Sequence, residues 1–276
     1  MSRTLMAVTF FVSLSACASI ERIALPKPEL LSDAFAVRAV EQTERVEYAA
    51  YNQFLEQYWV QDDNGIARLR YSAVTQEDQA TLVDFVAALQ ATDPDTLERD
   101  ERLAYWINLY NAQTIRVILE NYPVDSIRDI KDGPFSIGPW GRKDLVVNGT
   151  AISLNDIEHG IIRPAFQEPR IHYALNCAAT SCPNLAPLAW RAEGLDEAFD
   201  AAEQAYLADP RGVRVDDAGR VVASKIFIWF QEDFGRNEAE VAARLAAIAP
   251  EPARSALTTR MRIDRYEYDW SLNEQR

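Results

Sequence analysis

Histidine and cysteine are nearly missing from this chain: 276 residues hold two histidines and three cysteines. These side chains most readily supply a base, a nucleophile or a soft metal ligand near neutral pH. Their scarcity confines such chemistry to very few places. An excess of positive charge is missing as well. Against 42 acidic residues stand 28 basic ones, a net charge of −14. That balance argues against nucleic acid as a partner, because phosphate binding needs a basic surface. After the first residues no apolar run approaches membrane-spanning length, and no internal repeat or low-complexity stretch occurs. With 48% hydrophobic residues, the chain reads as globular and long enough for one large domain.

The N-terminus reads as an export signal over residues 1–16. Arg3 makes a short basic start, and Leu5–Leu14 is an apolar core too short to anchor stably in a bilayer. It ends in Leu14-Ser15-Ala16-Cys17, similar to the lipobox of bacterial lipoproteins, in which the cysteine becomes the lipidated first residue. The alternative is an ordinary signal cleaved after small residues, with Cys17 incidental. Ala18, where an aspartate would resemble an inner-membrane retention signal, points to the outer membrane facing the periplasm. Residues 17–33, with Pro26 and Pro28 and no clear period, read as a tether, and 34–276 as one globular domain. The expected membrane contact is through the N-terminal lipid alone.

Within the domain, apolar residues recur at helical spacing from Val46 to Trp59 and from Glu77 to Leu89. A further helix starts at Asp93-Pro94, restarts before Glu101 and stops before Pro123. Over Leu103–Tyr122 its apolar residues cover most of the circumference, which predicts a central buried helix. Gly133–Trp140 reads as loop. Ala67–Tyr71 reads as a short strand, Leu145–Val147 and Thr150–Ile152 as a hairpin across Asn148-Gly149, and Val213–Val215 with Val221–Ala223 as another. Leu195–Ala208 and Ala239–Ile248 are predicted helices, and Met261–Trp270 a closing strand. The expected class is α+β, with N-terminal helices, a long buried central helix and small antiparallel hairpins.

Both histidines and two of the cysteines fall in one stretch. It runs from Glu158-His159 on a short helix capped by Ser153 or Asn155, through His172, to Asn176-Cys177 and Cys182. A thiol hydrolase or transferase needs a thiolate, an imidazole and a group that orients the imidazole, with donors for an oxyanion. Cys177 is the candidate nucleophile, ahead of a turn of small residues whose amides would lower its pKa. If Ile171–Leu175 is a strand, His172 lies five residues before Cys177 and on the opposite face. That favours His159 as base and His172 as the alternative. Glu158, beside His159, is better placed to orient His172, with Asp156 or another residue serving His159. Asn108 and Asn111, on the buried helix, are candidates for bracing loop backbone or for an oxyanion role, and Asn176 joins them. Asp233-Phe234-Gly235 looks superficially like a kinase triplet but lacks the accompanying signatures.

Two further readings use the same residues. His159, His172, Cys177 and Cys182 form a donor set that zinc accepts; otherwise no cofactor is expected. In an oxidising compartment Cys177 and Cys182 could instead pair as a disulfide, leaving a non-catalytic envelope binding or scaffold module.

Three blocks carry a family resemblance: Ala104-Tyr105-Trp106-Ile107-Asn108-Leu109-Tyr110-Asn111-Ala112, the run from Ile152 to Pro164, and Arg170-Ile171-His172-Tyr173-Ala174-Leu175-Asn176-Cys177-Ala178. In that order they resemble the family catalogued as domain of unknown function 547, with its core at about 99–210. The resemblance implies frequent export among bacterial members and a fold similar to papain-like or transglutaminase-like thiol enzymes. Plant members resemble the Cys177 block but tend to have serine where Cys182 stands, which implies that Cys177 is the less replaceable thiol. The family carries no assigned activity; the expected function, a cysteine-dependent hydrolase or transferase acting on a peptide or thiol-peptide, comes from the histidine and cysteine constellation.

Overall fold

The computed structural model describes residues 22, 25–40, 44–133 and 136–275. The export signal and Cys17 lie outside the described residues. The first helix, Ala49–Tyr58, turns its aromatic and aliphatic stripe inward through Tyr51, Phe54, Leu55 and Tyr58. It runs directly into β1 (Trp59–Gln61), which pairs antiparallel with β2 (Ala67–Leu69). Asp62 holds the turn between them, its carboxylate accepting the Asn64 and Ile66 amides. Gln76–Ala91 follows as a helix, with Thr75 accepting the Asp78 amide as its N-cap.

The helix Arg99–Asn121 is the axis of the molecule. From Glu101 to Ile115 every residue is buried, polar ones included, as all-round apolar patterning predicts. The start near Asp93-Pro94 is a separate 3-10 turn, Pro94–Thr96, with Asp93 accepting the Asp95 amide. The larger of two hydrophobic clusters surrounds this helix.

The second cluster is built by Leu195–Ala208, Glu238–Ile248 and a three-stranded sheet ordered β5-β6-β7. Strands β5 (Val213–Val215) and β6 (Val221–Ser224) form the expected antiparallel hairpin. Of the expected closing strand only β7 (Arg265–Glu267) is regular, and it pairs parallel to β6. The small antiparallel hairpins form as expected, and this parallel pair is added to them. A helical crossover that includes Glu238–Ile248 and Ala253–Arg260 connects the two strands, as a parallel pair requires. Beyond β7 the chain continues along the Cys177 loop and reaches β2, where Leu69 exchanges backbone hydrogen bonds with Asn273 and Gln275.

The 145–152 hairpin forms as expected, β3 (Leu145–Val147) against β4 (Thr150–Ile152). Asn148 and Gly149 both adopt positive φ, 48° and 72°, the primed-turn geometry that suits hairpin twist. Ile171–Leu175 is not a strand. Pro169–Tyr173 is a 3-10 helix with Glu168 accepting the Arg170 amide as its cap. Proline at the first turn sets φ for helix, and among the described residues no strand pairs with this segment.

Part of the stretch read as a tether is docked on the domain. Glu29 donates to the His159 carbonyl at 3.2 Å and Leu31 to the Gly160 carbonyl at 2.8 Å. Gly160 permits this approach, since a Cβ there would sit 3.2 Å from the Leu31 Cβ. Among the described residues no helix is long and apolar enough to cross a membrane.

Candidate active site

A cavity of about 600 Å³ opens where the two hydrophobic clusters meet, with Tyr110 and Leu175 from one side and Ile226 and Trp229 from the other. Glu158, His159, His172, Cys177 and Cys182 all line it. Residues separated along the sequence, the candidates for nucleophile, base and orienting acid, thus border one cavity.

Three devices shape that wall. Ser153 and Asp156 cap each other reciprocally: the Ser153 hydroxyl accepts the Asp156 amide, and the Asp156 carboxylate accepts the Ser153 amide and hydroxyl. Asp156 is further tied to Lys143 at 2.5 Å, so it does not serve His159. After this cap the chain winds as a π-helix, Asp156–Ile162, a wide turn often found at functional sites. The widened turn lets Glu158 face both imidazoles, 3.7 Å from His172 Nδ1 and 4.0 Å from His159 Nδ1.

The buried asparagines form the second device. Asn111 grips the segment before Cys177 from both sides, donating to the Ala174 carbonyl at 2.9 Å and accepting the Asn176 amide at 2.8 Å. Asn176 donates to the Pro183 carbonyl and accepts the Ala178 amide. Asn108 makes the same two-sided contact with Trp190. None of the three lines the cavity. Of the roles expected of them, bracing backbone is the one their contacts support.

The third device is the C-terminal segment. Thr180 and Ser181 donate to the carbonyls of Ser271 and Asp269, and Asn273 donates to that of Ala178. Ala178 is held at φ 59°, a conformation costing an alanine roughly 1 kcal/mol. Such strain persists only where the surroundings over-determine it.

Cys177 and Cys182 are joined as a disulfide, with Cα atoms 6.4 Å apart, inside the range a bridge spans. Cys182 is buried at 3% exposure, whereas Cys177 is only half-buried. The Tyr268 hydroxyl lies 3.1 Å from both sulfurs. Burial, with Tyr206 and Glu158 nearby, pushes its pKa well above the ordinary tyrosine value, so it stays a protonated donor. Tyr110, bonded to Glu158 and to Trp140, is pushed up likewise, by burial first and the Glu158 charge second.

The two imidazoles are held differently. His172 Nε2 donates to Asp233 Oδ2 at 2.6 Å, and the ring stacks on Phe230 at 4.1 Å. That bond leaves Nδ1 as the nitrogen whose lone pair is free in the neutral ring. His159 Nδ1 meets Arg163 Nη1 at 3.2 Å. A guanidinium can only donate, so Nδ1 accepts and the neutral ring carries its proton on Nε2. Burial lowers the His159 pKa, and Arg163 adds to this against the opposing pull of Glu158. His159 is therefore a neutral imidazole presenting an N–H.

Asp233 anchors the arrangement. It takes the His172 hydrogen bond and both arms of Arg163, at 2.6 and 3.1 Å. Burial raises its pKa, but the His172 and Arg163 contacts outweigh that and bring it to about 2. Arg163 also reaches Glu232 at 2.9 Å. Sequence reasoning set Asp233 aside because its triplet matched the wrong pattern. Nothing local could have connected it with His172, 61 residues earlier. Arg163 follows His159 by four, a helical spacing that does carry a signal.

The residues considered for zinc do not converge. The sulfurs are bonded to each other and the imidazoles engage Asp233 and Arg163. Among the described residues no group of three or more His, Cys, Asp or Glu side chains is arranged to hold a metal ion.

No match was found among curated proteins or among solved structures. Residues 94–207, which carry the central helix, the π-helix, both histidines and both bridged cysteines, match the family model described as "Protein of unknown function, DUF547".

Proposed function

We propose that the domain is a cysteine-dependent hydrolase or transferase acting on peptide or thiol-peptide substrates, exported and held at the outer membrane by a lipid on Cys17. The supporting observation is the His172–Asp233 hydrogen bond on the wall of the cavity that also exposes Cys177. Nucleophile, base and orienting carboxylate are the parts of a thiol triad, and a papain-like likeness would rest on them.

In this reading a dithiol opens the Cys177–Cys182 bridge and is itself oxidised to a disulfide. The Cys177 thiol passes its proton to His172 Nδ1, and the thiolate attacks the substrate carbonyl carbon. The His159 Nε2–H donates to the oxygen that becomes negative, the part a neutral histidine plays as an electrophile. Glu158, near His172 Nδ1, stabilises the imidazolium. The bond to the leaving amine or thiol then breaks, with His172 returning the proton to it. Water or an acceptor amine resolves the thioester. The roles of the two histidines are exchanged relative to the sequence-based expectation, because Arg163 occupies the nitrogen that a base at His159 would need.

The bridge favours a second reading, a binding module with no turnover. Turnover of a peptide or thioester library by the mature protein, before and after dithiol treatment, separates the two. We expect activity only after reduction, none in Cys177→Ser, and dithiol-independent activity in Cys182→Ser. Turnover that survives Cys177→Ser would remove the thiol-enzyme reading, and silence of the reduced protein on every substrate would favour the binding module.

A further inference from the structure

Arg128 lines the cavity, and among the described residues no acceptor meets its guanidinium. Its contact is with the Trp270 ring, 5.1 Å from guanidinium carbon to ring centroid. Among the described residues, every other arginine that is not exposed has a carboxylate or carbonyl partner, as Arg163, Arg170 and Arg211 illustrate. None of the Arg128 nitrogens is both buried and without a partner; the half-buried guanidinium opens on the cavity and offers up to five donors in a planar fork. A ligand entering the cavity can take the place of water on that fork.

We infer that Arg128 is the carboxylate-recognition residue of this cavity, and that the substrate is a short peptide or thiol-peptide with a free C-terminal carboxylate. The planar fork matches a carboxylate bidentately, and the Trp270 ring holds the guanidinium on the wall through a cation–π contact. From Arg128 the wall runs through Trp270 to Tyr268, ring centroids 4.7 Å apart, and Tyr268 touches Cys177 Sγ at 3.1 Å. A few extended residues, at about 3.3–3.6 Å each, would lead along this path from the carboxylate and bring an upstream carbonyl or thiol toward Cys177. Trp140 and Trp229, packed on Trp270 at 5.7 and 5.5 Å, supply flat apolar surface along it. The other acidic groups facing the cavity do not compete for Arg128: Glu158 is held by Tyr110 beside the histidines, and Asp132 is exposed at the rim. That the upstream bond is cleaved rests on the thiol-enzyme reading; carboxylate capture does not.

The test is binding to the bridged protein, in which no thiol turnover occurs. Tryptophan fluorescence of the mature protein is titrated with N-acetyl dipeptides as free acids and as the matching C-terminal amides, and with inorganic phosphate. A charge-assisted bidentate contact predicts acids binding at least about 10-fold tighter than amides. Arg128→Gln should abolish the preference and Arg128→Lys restore part of it, both with melting temperatures close to the parent. Equal binding of acids and amides, no binding of any acid, a preference that persists in Arg128→Gln, or phosphate binding as tightly as the acids would each overturn the assignment. Turnover by the reduced parent separates the two ideas: acid preference retained without turnover removes the enzyme and keeps the subsite, whereas turnover indifferent to the carboxylate removes the subsite and keeps the enzyme.

Discussion

Asp233 is the residue on which most of the candidate site depends, since His172 and Arg163 both end on its carboxylate. Replacing it by asparagine leaves the shape but not the charge, so Arg163, whose side chain is 1% exposed, loses its closest partner. Breaking a buried ion pair from one side costs about 3–5 kcal/mol, which urea unfolding at pH 7 will measure. In the proposed mechanism the same change leaves His172 unoriented, and turnover of the reduced enzyme should fall by a factor on the order of 10⁴. Acid provides an independent check. The Asp233 pKa is depressed from 3.8 to about 2, so its contribution is complete above about pH 4 and is lost as pH falls through 2. That contribution is roughly 2 kcal/mol, and Asp233→Asn should lack this part of the acid transition. His159 acts at higher pH. Its folded pKa lies below the ordinary histidine value, so the unfolded chain binds a proton that the native site refuses. Stability should therefore decline as pH drops below about 6.5, and His159→Gln should flatten that slope.

At the scale of elements, the loop carrying Cys177 is shaped less by its own sequence than by what grips it. Asn111 reaches it from the central helix and the C-terminal segment backs it from the other side. Asn111→Ala removes two buried hydrogen bonds and leaves the Ala174 carbonyl and the Asn176 amide unmet. The expected loss is about 2–4 kcal/mol, with faster hydrogen exchange at Asn176 and Ala178 than elsewhere in the domain. A uniform rise in exchange would show that Asn111 stabilises the fold without positioning the loop. The β3–β4 hairpin offers a contrast. Its shape is local, and Gly149→Ala, at φ 72°, should cost about 1 kcal/mol with no effect on the cavity. Helix limits were legible to within about three residues where periodicity was strong, from Leu195–Ala208, which matches, to Val46–Trp59, where the helix starts at Ala49. Ile171–Leu175 is β-permissive yet forms no strand, because such residues reveal nothing about whether a neighbouring strand exists, and Pro169 starts a 3-10 helix there.

For the whole molecule, the cavity exists because two hydrophobic clusters meet without filling the seam between them. The central helix fills the first, where Leu109 is fully buried, and Phe227 is fully buried in the second. Leu109→Ala should cost about 2–5 kcal/mol and Phe227→Ala about 3–5 kcal/mol. If the clusters form one cooperative domain, each variant lowers a single transition, seen together by far-ultraviolet circular dichroism and tryptophan fluorescence. Two separated transitions would show that the second cluster folds by itself.

The α+β class, the buried helix and the concentration of reactive side chains between Glu158 and Cys182 were determined by the sequence alone. Periodicity, capping and turn chemistry act over a few residues, and rare residue types mark their own location. What the sequence could not hold is which groups face them. His172 and Asp233 are 61 residues apart, Cys177 and Tyr268 91, and no local rule joins such pairs. Tertiary packing decided those contacts, and with them the tautomers. A hydrogen bond's partner, not the imidazole itself, sets which nitrogen carries the proton, and so which of the two histidines is available as a base.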